Sequence, residues 1–326
     1  MFAIGTRGAE GVSIIARGAA PGRALHNAAC ALGCDRVSAE VVGAFQDAGI
    51  PSILLKGPSI ARWLYPSGGR SYADTDLLVP PGDFSRAETV LRSLGFTELA
   101  EGLRPFEQGV ETAFGRRPEL GRGPGGTVDL HRNLTILPTP DGLLWEAFSA
   151  DTETVPIGGV ELWVLGRTAL ALHVVIHAVQ HGFRMHTDED LRRAITVMPA
   201  DDWRPVADLA ERLGIARILG FGLRHHAAGA EIADSLGLPD PRIWKLFAPR
   251  GSAFWSAPTI GAKAKQIRWT LLPSPGKIRY RSCLPDAHGR TLLLAYARWW
   301  RDLASAFVSA VRFVRDRRRF AKGDGR

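Results

Sequence analysis

Apolar positions recur along this chain with two different periods, and the change from one to the other divides it. Between Ser38 and Ala48, Val41, Val42 and Phe45 share a stripe at helical spacing, which predicts a helix with Ser38 as its N-cap. Ile50 to Leu55 reads as a buried strand. Gly57 opens a turn into a helix through Ile60, Trp63, Leu64 and Tyr65, which Pro66-Ser67-Gly68-Gly69 ends. Asp74 to Val79 is a second strand, and Pro80-Pro81-Gly82 turns into a helix with Ala87, Val90, Leu91 and Leu94 at helical spacing, closed by Gly95. Phe96 to Leu99, Gln108 to Phe114 and Gly126 to Leu130 read as further strands.

From Arg167 the pattern becomes helical, with expected helices over Arg167 to Phe183, Asp188 to Val197, Asp201 to Leu213 and Ile215 to Gly229. Residues 239 to 289 are irregular and rich in proline, and a last helix is expected from Arg290 to about Arg319. The expected organisation is an N-terminal segment (1–34, loosely ordered to about residue 22), an α/β (α+β) domain with a mixed sheet (35–165), an α-helical domain (166–238), and a Pro-rich connection with a basic amphipathic helix (239–326).

Apolar residues at 45% and charged residues at 23% exclude wholesale disorder, and 326 residues suffice for two domains. A net charge of +8 fits a polyanionic substrate, a nucleic acid or an anionic membrane surface. Much of that surplus lies in the last fifteen residues, where Arg312, Arg315, Arg317, Arg318, Arg319, Lys322 and Arg326 crowd together. Cys30, Cys34 and Cys283 argue against a disulfide framework and suggest a reducing compartment; Cys30 and Cys34 lack a second pair for structural zinc. The first thirty residues have no secretory pattern, and Leu303 to Val311 falls short of the roughly 20 residues a spanning helix needs, so a cytoplasmic protein is expected.

The chemistry concentrates in three short stretches. In an extended chain Asp74 and Asp76 share one face while Thr75 points away, and paired carboxylates are costly unless a cation such as Mg²⁺ lies between them. Asp129 stands alone in the alternating run Thr127-Val128-Asp129-Leu130-His131, and three acids can hold two metal ions. Lys56-Gly57, then Asp-x-Asp, then a lone Asp on a later strand is the order a nucleotidyl-transfer site requires. His131 shares the face of Asp129. His173, His177 and His181 stack at i,i+4 positions; without a Glu placed as in His-Glu-x-x-His, they read as an interface with the sheet rather than a metal site.

These residues carry a family resemblance. Leu55-Lys56-Gly57, Tyr65-Pro66, Arg70, Asp74-Thr75-Asp76-Leu77-Leu78-Val79, Leu94-Gly95-Phe96, Val128-Asp129-Leu130-His131, His177-x3-His181 and Asp190-Leu191 resemble the uncharacterised nucleotidyltransferase family of the DNA polymerase beta-like superfamily, some of whose members are encoded near peptide-modification genes in bacteria. The likeness runs over about residues 35 to 230.

The resemblance implies that Asp74 and Asp76 bind Mg²⁺ beneath a nucleoside triphosphate such as ATP. Asp129 would complete a two-ion site and help activate an acceptor hydroxyl. Lys56, Gly57, Ser59 and Arg70 would contact the nucleotide, and His131, His177 and His181 would border the acceptor. The superfamily usually has Gly-Ser at the phosphate-gripping turn, whereas here Pro58, which has no N–H to donate, follows Gly57. The acceptor implied is a small molecule, a peptide, a protein or an RNA end. Two rival readings remain: a nucleotide-binding regulatory module with reduced catalysis, and a membrane or partner adaptor working through the C-terminal helix, whose stripe runs Leu292, Leu293, Tyr296, Trp299, Trp300, Leu303, Phe307, Val311 and Val314.

Overall fold

A computed structural model describes residues 21–65, 69–99, 111–117, 125–134, 137, 139–140, 142–239, 271–281, 288–301 and 304. The expected loose start, most of the Pro-rich connection, Cys283 and the helix beyond residue 304 lie outside these residues.

The strands β1 (Ile53–Leu54), β2 (Asp74–Leu78), β3 (Thr97–Glu98), β4 (Glu111–Arg116), β5 (Gly126–His131), β6 (Thr152–Ile157) and β7 (Val160–Leu165) form one sheet in the order β3-β4-β5-β2-β1-β7-β6. It is mixed, because β2 and β5, like β1 and β7, run parallel while the other pairings are antiparallel. Strand alternation sorts the side chains onto two faces. Leu77, Leu130 and Val128 pack beneath α1 (Pro21–Asp47) and α3 (Phe84–Ser93) with Val41, Phe45, Ala87 and Leu91. Ile53, Leu78 and Leu165 belong to the opposite face, whose core continues without interruption through the helices from α5 onward.

Those helices are α5 (Arg167–Gln180), α6 (Met185–Val197), α7 (Trp203–Arg212), α8 (Ala216–Leu223) and α9 (Ala227–Ser235). Nearly every residue of α5 from Ala169 to Val179 is buried, as befits a helix covered by α6, α7 and α8 and resting on the sheet. Among the described residues, no helix is long and apolar enough to cross a membrane.

Several elements depart from the sequence reading. The helix expected from Ser38 begins at Pro21, so Ser38 is not an N-cap; its hydroxyl meets that of Thr75 at 2.9 Å instead. The helix expected over Ile215 to Gly229 breaks at Arg224-His225-His226, giving α8 and α9. The strand expected from Ile50 is regular only over Ile53–Leu54, although the Leu55 N–H still donates to the Asp76 carbonyl at 3.0 Å. A helix α4 (Leu143–Ser149) and the β6–β7 hairpin were not foreseen; the hairpin turns on Gly158 and Gly159, both at positive φ as a tight two-residue turn requires. Within the stretch read as irregular, Pro275–Arg281 forms α10. The described start of the last helix, residues 289–301, leaves Leu293, Leu294 and Trp300 exposed while Tyr296 donates its hydroxyl to the Pro273 carbonyl.

Candidate active site

The site forms where β2 and β5 lie side by side. Their parallel register pairs Asp74 with Thr127, Asp76 with Asp129 and Leu78 with His131, so Asp76, Asp129 and His131 stand on the face turned toward α5. Thr75 points the other way, where its hydroxyl meets Ser38 and the Cys34 thiol donates to the Asp74 carbonyl. Burial pushes that thiol up to about 11, so Cys34 is a neutral packing group and not a nucleophile. The α1 side thus fixes the pleat that aims the acids at α5.

Lys56 enters from the end of β1. Its Nζ lies 2.9 Å from Asp76 Oδ1 and 3.5 Å from His177 Nε2. Burial opposes its charge, but Asp76, Asp129 and Asp74 together raise its pKa above the ordinary lysine value, and it is a cation here. His131 Nε2 lies 3.4 Å from the same Asp76 oxygen, and its Nδ1 is 3.4 Å from Glu111 Oε2 on β4. Burial works against protonation of His131, yet the two carboxylates outweigh it and push the ring up to about 10. Asp76 is buried too, but Lys56 and His131 hold its carboxyl well below the usual carboxylate range. Asp129 is pushed up to about 6 by burial and by the neighbouring Asp76 charge.

The donor set fits a cation. Asp76 and Asp129 place potential ligand oxygens within 4.8 Å of one another, with the protonated His131 beside them as a counter-charge. Asp76 Oδ2 is buried with no hydrogen-bond partner, a costly state for a carboxylate oxygen that a bound cation would relieve. Asp74 shares the face but is exposed at the start of β2 and stands outside that convergent group.

The remaining sequence candidates lie around this centre. His177 reaches Lys56, while His181 stacks edge-on against His177 and His173 stacks face-on from the other side. All three rings are driven toward the neutral form, first by burial and then by the Lys56 charge. Gly57, at φ +73°, turns the chain into α2 (Pro58–Leu64); a Cβ there would stand 3.3 Å from the Tyr72 ring. Ser59 is buried in the first turn, its hydroxyl without a hydrogen-bond partner. The Nε and Nη2 donors of Arg70 grip Asp190 of α6, which also accepts from the Tyr65 hydroxyl. Arg70 thus ties the β1–β2 connection to the helices. Sequence reasoning missed Glu111, whose strand carried no visible chemistry.

The sequence profile of a family described as uncharacterised nucleotidyltransferases matches residues 21–228, more than half of the chain. The chain belongs to that family. This nucleotidyltransferase thus matches its family over α1, the sheet and the helices through the start of α9. No curated protein sequence matches it significantly. Among solved structures it is similar to the antibiotic-resistance factor ANT(2'')-Ia, with a TM-score of 0.35 and 16% identity over 57% of this chain and 94% of that one. A second structure of ANT(2'')-Ia, with adenylyl-2''-tobramycin, gives 0.34 and 16% over 53% and 94%. An antigenic nucleotidyltransferase-like protein from Paracoccidioides brasiliensis gives 0.35 and 13% over 56% and 92%.

Proposed function

We propose that this nucleotidyltransferase moves a nucleoside monophosphate from a nucleoside triphosphate to an acceptor hydroxyl in a Mg²⁺-dependent reaction. The acceptor oxygen would form a bond to the α-phosphorus as the bond to the pyrophosphate oxygen breaks, and pyrophosphate would leave. The observation that carries this reading is the Asp76–Asp129 pair on adjacent parallel strands, with the buried Asp76 Oδ2 lacking any partner. Asp76 and Asp129, with Asp74 at the solvent side, would hold the divalent cation. When bound, that cation would supply charge stabilisation at the transferring phosphoryl group.

The chain's own groups have separable tasks in this scheme. Asp129, the more weakly acidic carboxyl, would accept the acceptor's proton. Lys56 would face the triphosphate as a point charge, and Gly57 and Ser59 would border it. With Pro58 lacking an N–H, the phosphate grip rests on side-chain cations more than on the turn. The neutral histidines His177 and His181, with His131, would line the acceptor side. We place the boundary between the sheet-bearing domain and the helical one near residue 166, between β7 and α5.

The test is incubation of the protein with labelled nucleoside triphosphates, candidate acceptors and Mg²⁺, comparing it with Asp76→Asn plus Asp129→Asn. Pyrophosphate release should fall at least about a hundredfold, the scale of losing a charge-stabilising group. Equal turnover in the double variant would sink the reading. A nucleotide-binding module with reduced turnover is the second reading, favoured by Lys56 already neutralising Asp76. It predicts Mg²⁺-dependent nucleotide binding without pyrophosphate release from the parent protein.

A further inference from the structure

A second group of metal-ligand side chains lies away from the acid pair. Asp188 sits in the first turn of α6, and His225 and His226 form the turn between α8 and α9. His226 Nε2 stands 2.9 Å and His225 Nε2 3.3 Å from the same Asp188 oxygen. The ligand atoms of all three residues lie within 4.8 Å of one another. A tetrahedral zinc ion bound through ~2.0–2.2 Å bonds keeps its ligand atoms about 3.3 Å apart, so the three donors need only small adjustments to share one ion.

We propose that Asp188, His225 and His226 form a binding site for a zinc-class divalent cation, with three protein ligands and an open fourth position. Two imidazoles and one carboxylate favour zinc, cobalt, nickel or copper over Mg²⁺, which prefers oxygen alone. The surroundings preset the rings. The Phe183 ring lies flat against His225, centroids 3.8 Å apart and planes 6° apart, and so holds that ligand's plane. Phe183 itself is the one described non-glycine residue at positive φ, held in place by its N–H donating to the Ala178 carbonyl at 2.8 Å and by its ring meeting Phe221. With the side chains of Asp188 and His226 each partly shielded, the group is half-open to solvent, which leaves an entry path for the ion.

The ion would act as a structural clasp. It would bind α6 to the α8–α9 turn from one side of α6, while Asp190, two residues on, binds Arg70 and Tyr65 from another. Its role does not depend on the reaction proposed above.

The test uses the full chain carrying Asp76→Asn and Asp129→Asn, which removes metal binding at the acid pair. Metal-free protein is titrated with Co²⁺, read by visible absorption, and with Zn²⁺, read by calorimetry. One equivalent should bind with the intense bands of four- or five-coordinate Co²⁺. Adding His225→Ala plus His226→Ala should weaken binding by more than the ~10–100-fold that losing an outer partner costs. Asp188→Asn, a near-isosteric change at a partly exposed side chain, should weaken it as well, with the far-ultraviolet dichroism of the parent retained. No binding in the parent, or equal affinity in both variants, would overturn the proposal.

Discussion

Replacing Asp190 by Ala tests how the connection between β1 and β2 is fastened to the helices. Asp190 Oδ1 accepts from Tyr65 Oη at 2.8 Å and Arg70 Nε at 3.0 Å, and Oδ2 accepts from Arg70 Nη2 at 2.8 Å. The carboxylate is 3% exposed and the guanidinium 12%. Burial, then the hydrogen bond to Asp190 and its charge, pushes the Tyr65 phenol up, so it remains the donor. Removing one partner of a buried ion pair typically costs about 3–5 kcal/mol, because the other charge is left without compensation. Arg70 keeps slight access to water on a stretch without regular structure, which places Asp190→Ala near about 3 kcal/mol. Arg70→Ala strands the carboxylate with Tyr65 alone and should cost a similar amount. Once either partner is gone, losing the second matters less, so the double variant should lose far less than the sum, with a coupling of about 2–3 kcal/mol. Urea unfolding of the four proteins at a common slope measures this directly. Single-variant losses below about 1 kcal/mol, or losses that simply add, would refute the claim that this pair is the tie.

The remaining predictions concern two residues beside the site. His173 is buried, its two ring nitrogens have no hydrogen-bond partner, and burial followed by the Lys56 charge pushes it down to about 3, although Asp76 pulls the other way. The unfolded chain therefore binds a proton near pH 6.5 that the folded chain refuses, so stability is full above that pH and falls as the medium is acidified toward about 3, by up to about 1.4 kcal/mol per pH unit from this ring. His173→Leu should flatten the fall in urea midpoint between pH 7 and 5; an unchanged fall would clear His173 of the effect. Gly57→Ala puts a side chain at φ +73° with its Cβ 3.3 Å from the Tyr72 ring and should cost about 1–3 kcal/mol in the same unfolding assay. A variant as stable as the parent would show that the turn does not require glycine.

The acid pair was legible because β2 and β5 alternate cleanly: Asp76 and Leu78 go to one face and Thr75 and Leu77 to the other, whatever the neighbours are. Lys56 and Gly57 were legible because a buried strand running into a turn leaves few places for a lysine to point. The β6–β7 hairpin was hidden by Pro156, which reads as a strand breaker although an edge strand tolerates it. The break between α8 and α9 contains no Gly or Pro. It is held by the Arg224 side chain, which bonds Asp234 and the Leu238 and Pro239 carbonyls, contacts that only the folded chain brings together. Glu111 was invisible for the same reason, since its meaning comes from the antiparallel register that sets it opposite His131.

That register also explains how the chain folds around three carboxyl groups that repel one another. Asp76, Asp129 and Glu111 converge from β2, β5 and β4, and burial magnifies their repulsion. Two cations are woven among them: Lys56 from the end of β1, and His131 from the same strand as Asp129. With these in place Asp76 stays ionised, because Lys56 and His131 both lie against it, while Asp129, buried beside the Asp76 charge, has its pKa raised. The counter-charges are unequal in mobility. His131 is fixed between Asp76 and Glu111 on a central strand, whereas Lys56 ends in a flexible stem beside neutral His177, which can receive its ammonium without adding charge. In the reaction proposed above, a cation arriving at Asp76 and Asp129 would displace Lys56, whose ammonium lies 2.9 Å from Asp76 Oδ1 and 3.5 Å from the neutral His177 ring, while His131 would stay between Asp76 and Glu111.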